Sequence, residues 1–138
     1  MNRYLLIDDD DIIHFIHRKV ITAADPTAEV TAVFSVEDGL AHLVASAPDA
    51  LPHVIFVDIS MPILSGFDLL DTLQQDHPEL HQTLLEGSRL FLLTSSVNPR
   101  DMERAGGYPL ISKVLAKPLS PDALKMLDLL PNEEQARL

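Results

Sequence analysis

The sequence predicts an α/β fold: a doubly wound, five-stranded parallel sheet with helices on both faces. Three observations carry this. Short apolar runs alternate with amphipathic segments five times along the chain. Two of the runs, at 54–57 and 90–93, are continuously apolar, as strands covered on both faces of a parallel sheet must be. Strands that alternate with helices pair in parallel through right-handed crossovers. In such a sheet, ligands bind beyond the carboxyl ends of the strands, where the strand order reverses.

The first strand is the apolar run at 4–7, which stops at Asp8. From 12 to 24 the apolar residues Ile13, Ile16, Val20 and Ala24 recur at helical spacing, with Asp11 as the expected cap. Residues 29–34 alternate enough for a second strand. Ser35-Val36-Glu37-Asp38 reads as a capping box opening a helix whose stripe is Leu40, Leu43, Val44 and Ala47. Pro48 and Pro52 bracket a loop. Val54-Ile55-Phe56-Val57 is the third strand, ending at Asp58. After Pro62, Ser65 and Asp68 form a second capping box, and Leu69, Leu70 and Leu73 continue that helix. Met61 is expected to pack under this loop, and Gly66 to allow a turn and a close backbone approach. Residues 77–88 read as a longer connection. Leu90-Phe91-Leu92-Leu93 is the fourth strand, ending at Thr94. Asn98 and Pro99 start a short helix that Gly106-Gly107 ends. Val114-Leu115-Ala116 is a short fifth strand ending at Lys117. Ser120-Pro121 opens the last helix, with Leu124, Leu127 and Leu130 inward, and 131–138 is a polar tail.

At 138 residues and 46% apolar composition, the chain suits one globular domain, expected to span residues 1–130. It has no Cys, which excludes disulfides, thiolate metal sites and Cys nucleophiles. A formal charge of −11 argues against binding nucleic acid directly, because that affinity rests on Lys and Arg neutralising phosphates. No stretch has the length of a signal peptide's apolar region or of a membrane span, so a cytoplasmic location away from membranes is the expectation.

The carboxyl ends of the strands carry the chemistry. Strand one ends in four consecutive Asp, 8–11, strand three in Asp58, strand four in Thr94-Ser95-Ser96 and strand five in Lys117-Pro118. If the fold is right, three carboxylates, a hydroxyl and an ammonium share one edge. Clustered carboxylates raise one another's pKa or recruit a cation. An all-oxygen set suits a hard ion such as Mg²⁺. A carboxylate also attacks phosphorus, giving an acyl phosphate. Lys117 and Mg²⁺ then supply the positive charge that phosphoryl transfer needs, and the Thr94 hydroxyl a further hydrogen bond.

These motifs resemble the receiver (CheY-like) family of two-component response regulators. The matching pieces are Leu6-Ile7-Asp8-Asp9-Asp10, Val57-Asp58-Ile59-Ser60-Met61-Pro62 with Gly66 following, Leu93-Thr94-Ser95 and Lys117-Pro118. The separations fit as well: 49 residues from Asp9 to Asp58, 36 on to Thr94 and 23 on to Lys117. The resemblance implies the flavodoxin-like strand order 2-1-3-4-5. It also implies Asp58 as phosphoacceptor, with Mg²⁺ held by Asp8, Asp9, Asp58 and the backbone carbonyl of Ser60. Thr94 is then the switch hydroxyl and Lys117 the partner of carboxylate and phosphoryl group. Such a switch catalyses only its own phosphorylation and dephosphorylation. The implied partners are a sensor histidine kinase or a histidine phosphotransfer protein, then an effector that the sequence does not name. A monomer or weak homodimer is expected. The Ser95-Ser96-x-Asn98-Pro99-x-Asp101 run resembles a branch rich in single-domain regulators. One departure stands out: the family carries Tyr or Phe three residues before the lysine, and this chain has Val114.

Each feature has a plainer reading. Asp8 to Asp11 suit a solvated acidic cap, Asp58 a strand-end turn, Thr94 a β-former and Lys117-Pro118 a surface turn. His14 and His17, and His77 and His81, have helical spacing for a metal pair but no third ligand. Two rival functions remain. A haloacid-dehalogenase-type phosphatase uses similar groups, but its nucleophile precedes the acid pair and is followed two residues on by a second Asp, where this chain has Ser60. A pseudo-receiver would keep the fold as a binding module without phosphorylation.

Overall fold

The computed structural model describes residues 2–129. Five parallel strands form one sheet in the order β2-β1-β3-β4-β5. The strands are β1 (Arg3–Ile7), β2 (Glu29–Val33), β3 (Val54–Asp58), β4 (Arg89–Thr94) and β5 (Ile111–Ala116). Six helices flank them: α1 (Asp11–Ala24), α2 (Val36–Ala45), α3 (Gly66–Asp76), α4 (Pro78–Gly87), α5 (Pro99–Ala105) and α6 (Pro121–Met126). The order reverses between β1 and β3, both of which lie inside the sheet. Among the described residues, no helix is long and apolar enough to cross a membrane.

Alternation along the central strands builds two cores. Leu5, Ile7, Ile55, Val57, Leu90 and Leu92 face α2, α3, α4 and α5. Tyr4, Leu6, Val54, Phe56, Phe91 and Leu93 face α1 and α6. On that second side the Phe56 ring lies between Tyr4 and Phe91, with centroids 6.4 and 5.4 Å away. Every residue of β3 is buried, the burden of a central strand covered on both faces.

Several helices depart from the sequence reading. Residues 77–88 are not an open connection: they contain α4, which packs on α3 so that two helices occupy the crossover from β3 to β4. Pro78 sits at the first helical position without a side-chain cap before it, and Leu84 is fully buried against the larger core. In α1 the cap is Asp10, whose side chain accepts from the Ile12 N–H, and Asp11 is already helical. Its most buried residues are His14, His17 and Ile21; Ile13, Ile16 and Val20 flank them, and Ala24 is exposed. The inner face of α2 is Val36, Gly39 and Leu43, with Val44 exposed and Ala47 beyond the helix. A Cβ on Gly39 would meet the Ile7 side chain at 2.5 Å, so this helix approaches β1 as closely as glycine allows. Ser35 caps α2, but only the Ser65–Asp68 capping box is reciprocal. β2 stops at Val33, one residue early, and β5 begins three residues early at Ile111. Leu124 and Leu127 are buried as expected, while Leu130 and the tail at 131–138 lie outside the described residues.

Candidate functional site

Strand register brings the expected residues to one edge. Ile7 pairs with Val57, which sets Asp8 beside Asp58. Asp58 pairs with Leu93, and Thr94 with Ala116, so Thr94 and Lys117 each follow by one position. The two ends of the set are then joined by side chains: Lys117 Nζ donates to Asp8 Oδ2 at 3.0 Å and to Asp58 Oδ2 at 3.1 Å.

Each buried carboxylate also uses its second oxygen. Asp8 Oδ1 accepts from the Asp10 N–H at 3.0 Å, and Asp58 Oδ1 from the Ser60 N–H at 3.0 Å. Asp8 and Asp58 are 3% and 2% exposed, whereas Asp9 stands in solvent. Carboxylate oxygens of all three lie within 4.8 Å of one another. Burial pushes the Asp58 carboxyl above its usual range, and neighbouring Asp8 adds to this against the opposing pull of Lys117 and the Ser60 N–H. Burial would lower Lys117, but hydrogen bonds and charge from Asp8 and Asp58 outweigh it, and the ammonium is held above its ordinary value.

Three carboxylates against one ammonium leave an uncompensated negative charge in a small space open on one side. The donors are all hard oxygens, and the Ser60 peptide adjoins them. That set fits a divalent cation such as Mg²⁺, which binds through a few carboxylates and keeps its remaining positions for water or phosphate oxygens.

The loop between Asp58 and α3 is shaped for close approach. A Cβ on Gly66 would come within 2.9 Å of the Asp58 carbonyl oxygen, so this position excludes any side chain. Ile63 sits at φ 72°, rare for a β-branched residue, and the Leu64 N–H donates to the Pro62 carbonyl at 2.8 Å to close a tight turn. Met61 is half-buried against the larger core.

Thr94 reaches the edge but does not join the acidic cluster. Its hydroxyl donates to the Ser96 carbonyl at 3.1 Å and accepts from the Ser96 N–H at 3.2 Å. Val114 is half-buried and packs on the larger core. Among the described residues, the one group of acids and histidines close enough to hold a metal is Asp8, Asp9 and Asp58, so neither histidine pair makes such a site.

The family model for the response regulator receiver domain matches residues 4–127. This chain belongs to the response regulator receiver family. A two-component response regulator from Cytophaga hutchinsonii is 32% identical to this receiver, with 91% of this chain and 92% of that one covered and a TM-score of 0.78. A receiver protein from Dyadobacter fermentans is 27% identical over 91% of this chain and 93% of that one, TM-score 0.76. The chemotaxis protein CheY4 of Vibrio cholerae, at 22% identity, 93% and 97% coverage and TM-score 0.73, shares the fold. Comparison with curated sequences gives no match. Membership places the receiver in two-component signalling.

The sequence weighs His14 and His17 only as a metal pair, whereas the structure buries both behind the acidic edge on the inner face of α1. Their positions, with Ile21, follow helical spacing on the inner face of α1. That spacing was the available signal, masked by the polar side-chain type.

Proposed function

We propose that this receiver accepts a phosphoryl group on Asp58 from a phosphohistidine of a sensor kinase or phosphotransfer protein, and that the phosphorylated form is read by a partner. The observation that carries this is the Lys117 ammonium, held 3.0 and 3.1 Å from Asp8 and Asp58, with Asp9 completing the acidic group. In the reaction an Asp58 carboxylate oxygen forms a bond to phosphorus as the phosphorus–nitrogen bond to the donor imidazole breaks. The electron pair stays on the departing nitrogen. Lys117 places a fixed positive charge beside the acceptor, where charge on the transferring oxygens is stabilised without reorganisation. Asp8, Asp9, Asp58 and the Ser60 carbonyl would hold Mg²⁺, which would supply further positive charge there. Thr94 is the switch hydroxyl in this reading, exchanging its Ser96 contacts for the phosphoryl group.

The test is reaction with phosphoramidate or acetyl phosphate and Mg²⁺, followed by intact mass spectrometry. One phosphoryl adduct on the wild type and none on Asp58→Asn supports the assignment. An adduct mapped to Asp8 or Asp9, or none on the wild type, overturns it.

A further inference from the structure

α1 turns two histidines inward behind the acidic edge, and phosphoryl transfer as described uses neither. Their hydrogen bonds have opposite senses. His14 Nε2 lies 2.8 Å from the Asp8 carbonyl oxygen and 2.9 Å from that of Val33. Carbonyls only accept, so this nitrogen carries the proton. His17 Nε2 lies 3.1 Å from the backbone nitrogen of Leu119, which only donates, so here Nε2 is the bare nitrogen. Burial, the largest influence on His17, pushes it down to about 4, which keeps the ring neutral and its lone pair free to accept.

The place of the Leu119 amide in the loop gives this bond its importance. Pro118 has no N–H, so after Lys117 the next backbone donor is Leu119. The Lys117 N–H itself donates to the Thr94 carbonyl at 2.8 Å. The segment that carries Lys117 is thus held at two points, by β4 on one side and by α1 on the other. The Leu119 side chain is 2% exposed within the α1/α6 core, so its backbone has little freedom to turn toward water. His17 is 1% exposed and lies outside the group formed by Asp8, Asp9 and Asp58.

We propose that His17 is a positioning residue for phosphoryl transfer: by accepting the Leu119 N–H it sets the Lys117 ammonium between Asp8 and Asp58. This rests on Asp58 being the phosphoacceptor. Without the acceptor, a buried N–H loses its partner and the loop shifts to find another. The ammonium then leaves its place between the two oxygens. Gln retains an acceptor near the position of Nε2, whereas Phe fills the space and accepts nothing.

The test is a double-mutant cycle on the full chain, reading the phosphoramidate rate at saturating Mg²⁺ and, by calorimetry, Mg²⁺ affinity. His17→Phe is expected to slow the reaction about ten-fold, since ~1 Å of misplacement costs up to about 100-fold. Mg²⁺ affinity is expected to hold and His17→Gln to recover most of the rate. In a Lys117→Ala background, His17→Phe is expected to add less than about two-fold, because its effect passes through the lysine. An equal loss in both backgrounds, or no loss in either, overturns the proposal. A second readout does not need the reaction: the Lys117 Cε NMR signal of the unphosphorylated protein. It is expected to move in His17→Phe and stay in His17→Gln. No movement in His17→Phe also overturns the proposal. A wild type that does not phosphorylate while this signal moves indicts Asp58 rather than His17. Should His17→Phe not fold, His17→Met replaces it, a flexible apolar filler and a poor acceptor.

Discussion

The two halves of the acidic edge are built to different degrees of completion. On the β1–β3 side, both buried carboxylates have a partner at each oxygen, and Lys117 joins them. On the β4–β5 side, the Thr94 hydroxyl bonds within its own loop, and Val114 stands where the family carries an aromatic. The β4–α5 loop rests against little, but the far end of α5 is fastened. Arg104 lies 4.2 Å over the Phe67 ring, and the Tyr108 hydroxyl donates to Asp71 at 2.7 Å. On the proposed function, this difference would separate chemistry from readout. The carboxylate and ammonium half is preorganised, while the other half has a hydroxyl engaged elsewhere and a helix tethered to α3. Val114 is β-branched with one stiff torsion and has no ring to swing. On the proposed function, the readout is expected to run through the segment 95–104 and its tether.

The largest expected effect concerns the preorganised half in acid. His17 titrates near 4 in the folded protein and near 6.5 when unfolded. Above 6.5 neither state takes the proton. Between 6.5 and 4 only the unfolded state does, so stability falls as pH drops through this window and levels off below it. The loss is about 3 kcal/mol at ~1.4 kcal/mol per pH unit. Asp58 has the opposite sign: its raised carboxyl takes up a proton in the folded state first, which offsets part of the fall. The clean measure is the wild type minus His17→Gln, by urea unfolding from pH 7 to 4. A difference without slope would mean that His17 is not held neutral.

A smaller effect separates charge repulsion from structure on the same side. Burial and Asp8 both work against the ionised form of Asp58, while Lys117 keeps Asp8 as a partner if Asp58 is neutralised. Asp58→Asn is expected to stabilise the metal-free protein by about 1 kcal/mol, a rise of roughly 3–5 °C in Tm. Millimolar Mg²⁺ is expected to raise the Tm of the wild type and to do so less in the variant. Equal responses in thermal melts would remove Asp58 from the cation site.

The smallest effect lies on the other half. Tyr108→Phe deletes a half-exposed hydrogen bond to Asp71 and is expected to cost about 0.5–1 kcal/mol by denaturant unfolding. If the tether restrains the readout, the variant also exchanges its α5 amides faster, whereas unchanged exchange would show that Tyr108 holds nothing in place.

Much of this architecture was legible because a parallel sheet writes itself plainly. Val54-Ile55-Phe56-Val57 must be apolar on both faces, so the strand and its polar terminus at Asp58 stand out, and register then collects the site. Three features did not show. α4 lacks a side-chain cap, and its inward positions, Leu80 and Leu84, sit among polar neighbours. The inner face of α1 is partly histidine, and an apolar pattern does not count a ring that becomes neutral only when burial makes it so. Nor does any residue type announce that the Thr94 hydroxyl closes on Ser96, which is a matter of loop geometry.

The separation of chemistry from readout is tested most directly by amide hydrogen exchange with and without beryllofluoride, which mimics the phosphoryl group proposed on Asp58. The dominant change is expected in residues 95–104, with Val114 quiet and Gly106-Gly107 absorbing the displacement at low backbone cost. A dominant change at residues 114–117, with 95–104 still, would contradict it.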